Sequence, residues 1–231
     1  EQQQKPFRIM TTDDKIFPPN TSAYYAIESV DGYDPLSSGR YEEFIAALNR
    51  NKPETTGPFG FNRIIVPHNI DSKVAPLLNV RFVLSLTDLD RPFLKKVFQE
   101  GETRIYEYLN GLPRVYIADA VKTLTDSRQI LQVLFDTDYR RSSPAVLEEE
   151  AGVESKPLQE GEYVHLVSYG PAEIRVQVRA ALPRMIVILT QYDPGWRAMV
   201  DGKSTRLYRA NYAFQGVPVP AGDHDVLISY H

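Results

Sequence analysis

The sequence contains no cysteine. That excludes a disulfide scaffold, thiolate zinc sites, iron–sulfur clusters and a cysteine nucleophile. It also lacks a surplus of positive charge: 26 Lys plus Arg stand against 30 Asp plus Glu, for a formal net charge of −4. Without a basic excess, the phosphate affinity that drives nucleic-acid binding is missing. Long apolar runs are absent as well. The longest, Met185-Ile186-Val187-Ile188-Leu189, has the size of a strand and falls short of the ~18 residues of a membrane span. There is no phosphate-binding glycine loop, no nucleophile elbow and no HExxH. The four histidines, His68, His165, His224 and His231, are scattered without helical ligand spacing, so neither a metal nor a cofactor is expected. The first residues, Glu1-Gln2-Gln3-Gln4-Lys5, carry neither an initiator methionine nor a signal-peptide pattern and read as a cut inside a longer protein.

What is present is an ordinary globular composition, 42% hydrophobic and 24% charged over 231 residues. A chain of this length buries roughly 70–75% of its unfolded surface, as one large β domain or two smaller units. Periodicity predicts the second. In residues 1–150, Phe7 to Met10 reads as a strand and Ile16 to Leu36 as an ordered irregular loop. Tyr41, Phe44, Ile45 and Leu48 recur at helical spacing behind the candidate caps Ser37 and Ser38. Asp71-Ser72-Lys73 precedes a short helix carrying Val74, Leu77 and Leu78, provided that Pro76 lies in its first turn. Arg81 to Leu86 reads as a strand, Phe93 to Leu109 as a hairpin, and Val115 to Ala118 as a strand. Asp126-Ser127-Arg128-Gln129 has capping-box spacing ahead of Ile130, Leu131 and Leu134. Ala145 to Leu147 reads as a short strand, Glu148 to Glu150 as a solvated acidic run, and Gly152 to Pro157 as a linker.

From Gly161 onward the pattern is wholly β. Ile174, Val176 and Val178 alternate with Arg175, Gln177 and Arg179, so one face is buried and the other wet. Strands are predicted at Tyr163–Val167, Ile174–Arg179, Met185–Gln191, Trp196–Val200, Arg206–Tyr208, Phe214–Val219 and Asp225–Tyr230, with Asp201-Gly202 as a primed turn. The predicted fold is therefore α+β: a mixed α/β part over residues 1–150, then a small antiparallel β-sandwich over 155–231.

Four close acid pairs, Asp31/Asp34, Asp88/Asp90, Asp136/Asp138 and Asp223/Asp225, have the residue types of calcium or glycosidase sites. Turn formation accounts for all four. Asn20-Thr21-Ser22 is formally a glycosylation sequon. Aromatics are more suggestive: 14 tyrosines and one tryptophan, several near turns (Tyr24, Tyr25, Tyr33, Tyr192, Trp196, Tyr208, Tyr212). Rings beside polar turn residues suit stacking on sugars, and they equally suit filling a core.

The segments Tyr192-Asp193-Pro194-Gly195-Trp196-Arg197-Ala198, Val200-Asp201-Gly202-Lys203, Tyr208-Arg209-Ala210-Asn211-Tyr212-Ala213-Phe214-Gln215-Gly216-Val217 and Val219-Pro220-Ala221-Gly222-Asp223-His224 are distinctive. Together they resemble the last extracytoplasmic domain of bacterial YfhO-like multi-pass membrane proteins. Upstream segments such as Val30-Asp31-Gly32-Tyr33-Asp34-Pro35-Leu36 and Leu112-Pro113-Arg114-Val115-Tyr116 occur in the order this resemblance implies.

That family is similar to membrane glycosyltransferases of the GT-C class, which use polyprenyl-phosphate sugars. The resemblance implies a non-catalytic domain on the extracytoplasmic face of the bacterial membrane. Its first partner would be the transmembrane part of the same polypeptide, where the presumed chemistry of the full-length protein would lie. The function expected is docking of an acceptor glycan or cell-envelope polymer, with Tyr33, Asp34, Trp196, Arg197, Tyr212 and Gln215 as candidate ligand-binding residues. Two alternatives stand beside it: a structural or assembly domain with no ligand of its own, and a self-contained carbohydrate-binding module or glycoside hydrolase.

Overall fold

The computed structural model describes residues 6–13, 15, 16, 18, 20–33, 39–54, 64, 65 and 67–231. One compact unit is Phe7–Leu112, and the other contains Pro113–His231.

The Phe7–Leu112 unit comprises β1 (Arg8–Thr11), α1 (Thr21–Tyr24), β2 (Glu28–Ser29), β3 (Gly32–Tyr33), α2 (Gly39–Arg50), β4 (Ile64–Ile65), a 3-10 turn (Ala75–Leu78), β5 (Val80–Ser85), β6 (Leu94–Glu100) and β7 (Thr103–Tyr108). Its main sheet has the order β2-β1-β5-β7-β6. β1 runs parallel to β2 and β5, and β7 pairs antiparallel with both β5 and β6. The helical periodicity around Phe44 is realised in α2, which buries Phe44, Ile45, Ala47 and Leu48. Its candidate caps Ser37 and Ser38 lie outside the described residues. Pro76 does fall in the first turn of the 3-10 element, where its missing N–H costs nothing. The expected irregular loop contains α1, β2 and β3 instead, because Glu28 and Ser29 find partners on β1.

The second unit comprises β8 (Val115–Ile117), β9 (Val121–Thr123), α3 (Ser127–Asp136), β10 (Ala145–Leu147), β11 (Tyr163–Tyr169), β12 (Glu173–Ala180), β13 (Arg184–Gln191), β14 (Trp196–Val200), β15 (Lys203–Thr205), β16 (Tyr208–Ala210), β17 (Phe214–Val219) and β18 (Gly222–Tyr230). A six-stranded sheet runs β8-β13-β17-β16-β10-β9 and a five-stranded sheet runs β11-β12-β18-β14-β15. One apolar cluster draws on both. The six-stranded sheet supplies Val115, Ile117, Ile186, Ile188, Val217 and Val219; the five-stranded sheet supplies Ile174, Val176, Val178, Trp196, Ala198, Val200, Val226 and Ile228. The period-two burial read from Ile174, Val176 and Val178 is present along the whole of β12. α3 packs beside β10, and Asp126 caps it by accepting the Gln129 N–H at 2.8 Å. The β14–β15 hairpin turns through Asp201 (φ 51°) and Gly202 (φ 75°), the left-handed pair a primed turn requires.

The division between units falls at residue 112, whereas composition placed it near 150. Strand pairing is the reason: β8 hydrogen-bonds to β13, and β10 to β16, so residues 115–147 complete a sheet begun by the later strands. The expected linker Gly152–Pro157 is fastened. Ser155 Oγ accepts from Val121 N and donates to Val121 O, both at 2.6 Å, and the Arg184 guanidinium bonds the carbonyls of Lys156 and Pro157. The single strand expected at Arg206–Tyr208 is two strands in two sheets, β15 and β16, and Arg206-Leu207 is where the chain crosses between them.

Candidate functional site

The aromatic turn after β13 is built by its own sequence. Asp193 Oδ1 accepts from Gly195 N at 2.7 Å, and Trp196 N donates to Asp193 O at 3.1 Å. Gly195 is required by space: a Cβ there would lie 2.7 Å from the Tyr230 ring. The Trp196 indole meets that same ring edge-on at 5.3 Å and is buried in the shared core. Arg197 is exposed, its guanidinium folded back on the carbonyls of Pro194 and Trp196. Replacing Trp196 with alanine therefore removes core volume at the end of the cluster. The expected cost is about 3 kcal/mol, read as a lowered urea midpoint; an unchanged melting temperature would contradict this placement.

The second distinctive segment lies deeper. Ala210 to Val217 is buried residue after residue, with Tyr212, Phe214 and Gln215 all at 1% exposure or less. Gln215 Nε2 donates to Gln191 O at 3.0 Å. Of the sequence-predicted ligand residues, Trp196, Tyr212 and Gln215 thus face the interior, and Arg197 alone of this unit's four faces solvent. Tyr33 belongs to the other unit, on β3, and Asp34 lies outside the described residues. Phe214 and Gln215 sit in the six-stranded sheet and Trp196 and Arg197 in the five-stranded one, so the structure does not gather them at one point.

A different group of side chains does converge. Where the chain crosses between sheets, Glu148, Glu149, Tyr192, Arg206, Leu207, Tyr208 and Arg209 line a cleft of about 130 Å³. The Arg206 guanidinium lies 5.3 Å from the Tyr208 ring centre and is paired with Glu149. The Arg209 guanidinium lies 4.8 Å from the ring centre of Tyr192. The acidic run expected to be a solvated face therefore supplies one wall. The clustering of two arginines and a tyrosine in Arg206-Leu207-Tyr208-Arg209 was the sequence signal for this cleft, hidden because the segment reads as an ordinary strand.

Three of the four acid pairs supply ion-pair residues; of the fourth, Asp34 lies outside the described residues. Asp88 pairs with Lys96 and Arg104, Asp138 with Arg140, and Asp223 with Arg179. Among the described residues no group of three His, Asp or Glu side chains could hold a metal.

His224, at the start of β18, is bonded through Nδ1 to Asp201 Oδ2 at 2.6 Å, and Asp225 N donates to Asp201 Oδ1. The Asp201 carboxylate raises the His224 pKa above its ordinary 6.5. Because the folded value is the higher one, the pair's contribution to stability is complete below that ordinary value and is lost as pH rises through the raised one. The expected result is a small decline of melting temperature on the alkaline side of neutrality that disappears in His224→Asn. An unchanged pH profile in the variant would contradict it.

Residues 157–231 match the model of the family described as bacterial membrane protein YfhO. No curated protein matches the chain, and no solved structure does. The matched segment covers β11 to β18, and the six-stranded sheet that contains β13, β16 and β17 also takes up β8, β9 and β10 from residues outside the match. No helix among the described residues is long and apolar enough to cross a membrane.

Proposed function

We propose that this chain is a non-catalytic extracytoplasmic domain of a polytopic, glycosyltransferase-like membrane protein. In this reading its 113–231 unit, a β-sandwich, docks an acceptor glycan or cell-envelope polymer beside the transmembrane part of the same polypeptide. The family match over residues 157–231 supports attachment to a membrane protein. The observation that carries docking is the cleft at the sheet crossing, where two guanidinium groups lie on tyrosine rings beside carboxylates. Such groups hold sugars by stacking on the C–H face of the ring and by hydrogen bonds to its hydroxyls.

Binding of envelope polysaccharides to the folded chain, by glycan array and calorimetry, tests the reading. Saturable binding is expected, weakened about ten-fold or more when Tyr192 and Tyr208 are both alanine, with the melting temperature held. A well-folded sample that binds none of them overturns docking. The burial of Ala210 to Val217 favours a second reading, in which the distinctive segment encodes a brace for the membrane part and the unit has no ligand. In the full-length protein the two separate: cleft substitutions lower acceptor modification under docking and leave it unchanged under bracing.

A further inference from the structure

The β6–β7 hairpin leaves apolar side chains in solvent. Leu84, Ile105 and Phe98 stand opposite one another across β5, β7 and β6, so they form one row on one face of the sheet. Cover runs out along that row: Leu84 is 7% exposed, Ile105 is half-buried and Phe98 is 50% exposed. Val97, which the bulge between Lys96 and Phe98 leaves without a cross-strand partner, is exposed beside it, as is Leu109 just past β7. Contiguous apolar side chains left in water in this way mark an interaction surface.

Charges are sorted around this strip. The neighbouring row on the same face is Phe82, Glu107 and Lys95, with Arg81 laid on the Phe82 and Phe7 rings. At the other end, where the hairpin turns, stand Glu100 and Glu102. Arg81, Lys95, Glu100 and Glu102 are all exposed, and among the described residues none of the four has an ion-pair partner. Lys96 and Arg104, by contrast, are already held by Asp88.

We infer that this strip is a homodimer contact, met by a second copy of the chain across a two-fold axis near Phe98 with the strands antiparallel. The axis brings Val97 and Phe98 of the two copies together. It lays the Arg81 and Lys95 end of each copy over the Glu100 and Glu102 end of the other, the self-complementarity that an isologous interface requires. The charge order selects this occupant. An anionic lipid surface or polymer drawn to the cationic end is repelled at the acidic end. A free strand adding to the β6 edge is opposed by the bulge and by Lys95 and Lys96. An antiparallel copy presents the reversed order of charge and matches both ends. This assembly role is separate from glycan docking, whose cleft belongs to the other unit.

Sedimentation equilibrium and light scattering on this chain, from micromolar concentration upward, test the contact. A reversible dimer is expected, and Phe98→Asp is expected to leave a monomer of unchanged melting temperature. Lys95→Glu and Glu100→Lys are each expected to weaken dimerisation about ten-fold or more, because each sets like charges against one another twice. Mixing those two variants is expected to restore it, since the mixed pair carries opposite charges at both contacts. Recovery in the mixture also shows that both variants are folded. A chain that stays monomeric throughout overturns the inference. So does a dimer indifferent to Phe98→Asp and to both charge reversals, which would place the contact elsewhere. A monomer that binds anionic phospholipid vesicles through Phe98 overturns it in favour of a lipid surface.

Discussion

Replacing Arg184 with alanine is expected to cost the 113–231 unit about 4–5 kcal/mol, at the upper end of what breaking a buried ion pair does. Its side chain is 1% exposed and that of its partner Glu162 is 2% exposed. Nε and Nη2 donate to the two Glu162 oxygens at 2.8 and 2.7 Å. The remaining donors reach the carbonyls of Lys156 and Pro157, and Glu162 also accepts from Gln159 N and Ala181 N. The pair thus ties the approach to β11 to the start of β13 with every oxygen of the carboxylate used. Alanine leaves that carboxylate buried without its cation. Exchanging both residues for apolar ones of similar volume is expected to recover much of the loss, since it removes the stranded charge as well.

Urea unfolding of the three proteins measures this. Equal stability of Arg184→Ala and wild type would refute it. The acid limb provides an independent check. Arg184 holds the Glu162 carboxyl down to about 2 from an ordinary 4.5. Its folded value is the lower one, so its contribution is present above the ordinary value and is lost as pH falls toward the depressed one. That part of the acid transition is expected to vanish in the doubly apolar protein.

Asn211→Ala is expected to cost about 4 kcal/mol, from several buried groups stranded at 1–3 kcal/mol each. The residue is 0% exposed in the turn between β16 and β17. Its Oδ1 accepts from Val146 N at 2.7 Å, and its Nδ2 donates to Tyr116 Oη at 2.7 Å and to Pro144 O at 2.9 Å. One amide thereby joins β8, β10 and the turn. Its φ of 48° is left-handed, which asparagine tolerates better than alanine. Asn211→Gly is therefore the sharper comparison: it loses the same hydrogen bonds without the strain and is expected to be about 1 kcal/mol less damaging than alanine. If alanine and glycine are both silent, the network carries no weight in stability.

These two residues show where the chain was legible and where it was not. Elements governed by nearby residues could be read: the α2 face, the Asp126 cap, the Asp201-Gly202 turn and the alternation along β12. Partnerships across long stretches of chain could not. Nothing in Val115 to Ile117 indicates that it pairs with Ile186 to Ile188, so the unit boundary was misplaced. Arg184 reads as a polar strand end and Asn211 as a turn residue, because the sequence does not reveal the carbonyls and carboxylate that enclose them. Aromatics were ambiguous for the same reason. Tyr212 is buried and Tyr24 is 88% exposed, yet both stand among turn residues. The distinctive segments were correctly singled out, but their burial shows that they build the fold, while the cleft lies on their flank.

β18, the last strand, lies between β12 and β14 in the middle of its sheet, not at an edge. Chains fold as they are synthesised, amino-terminal parts first. Here β12 and β14 each await β18, so their open edges persist until β18 has been synthesised. Ending the chain before Asp225 would leave the Val176 and Ala198 faces without Val226 and Ile228 between them. A stop there is expected to yield aggregated or degraded protein rather than a shortened domain, which makes the emergence of β18 the commitment step in this unit's folding.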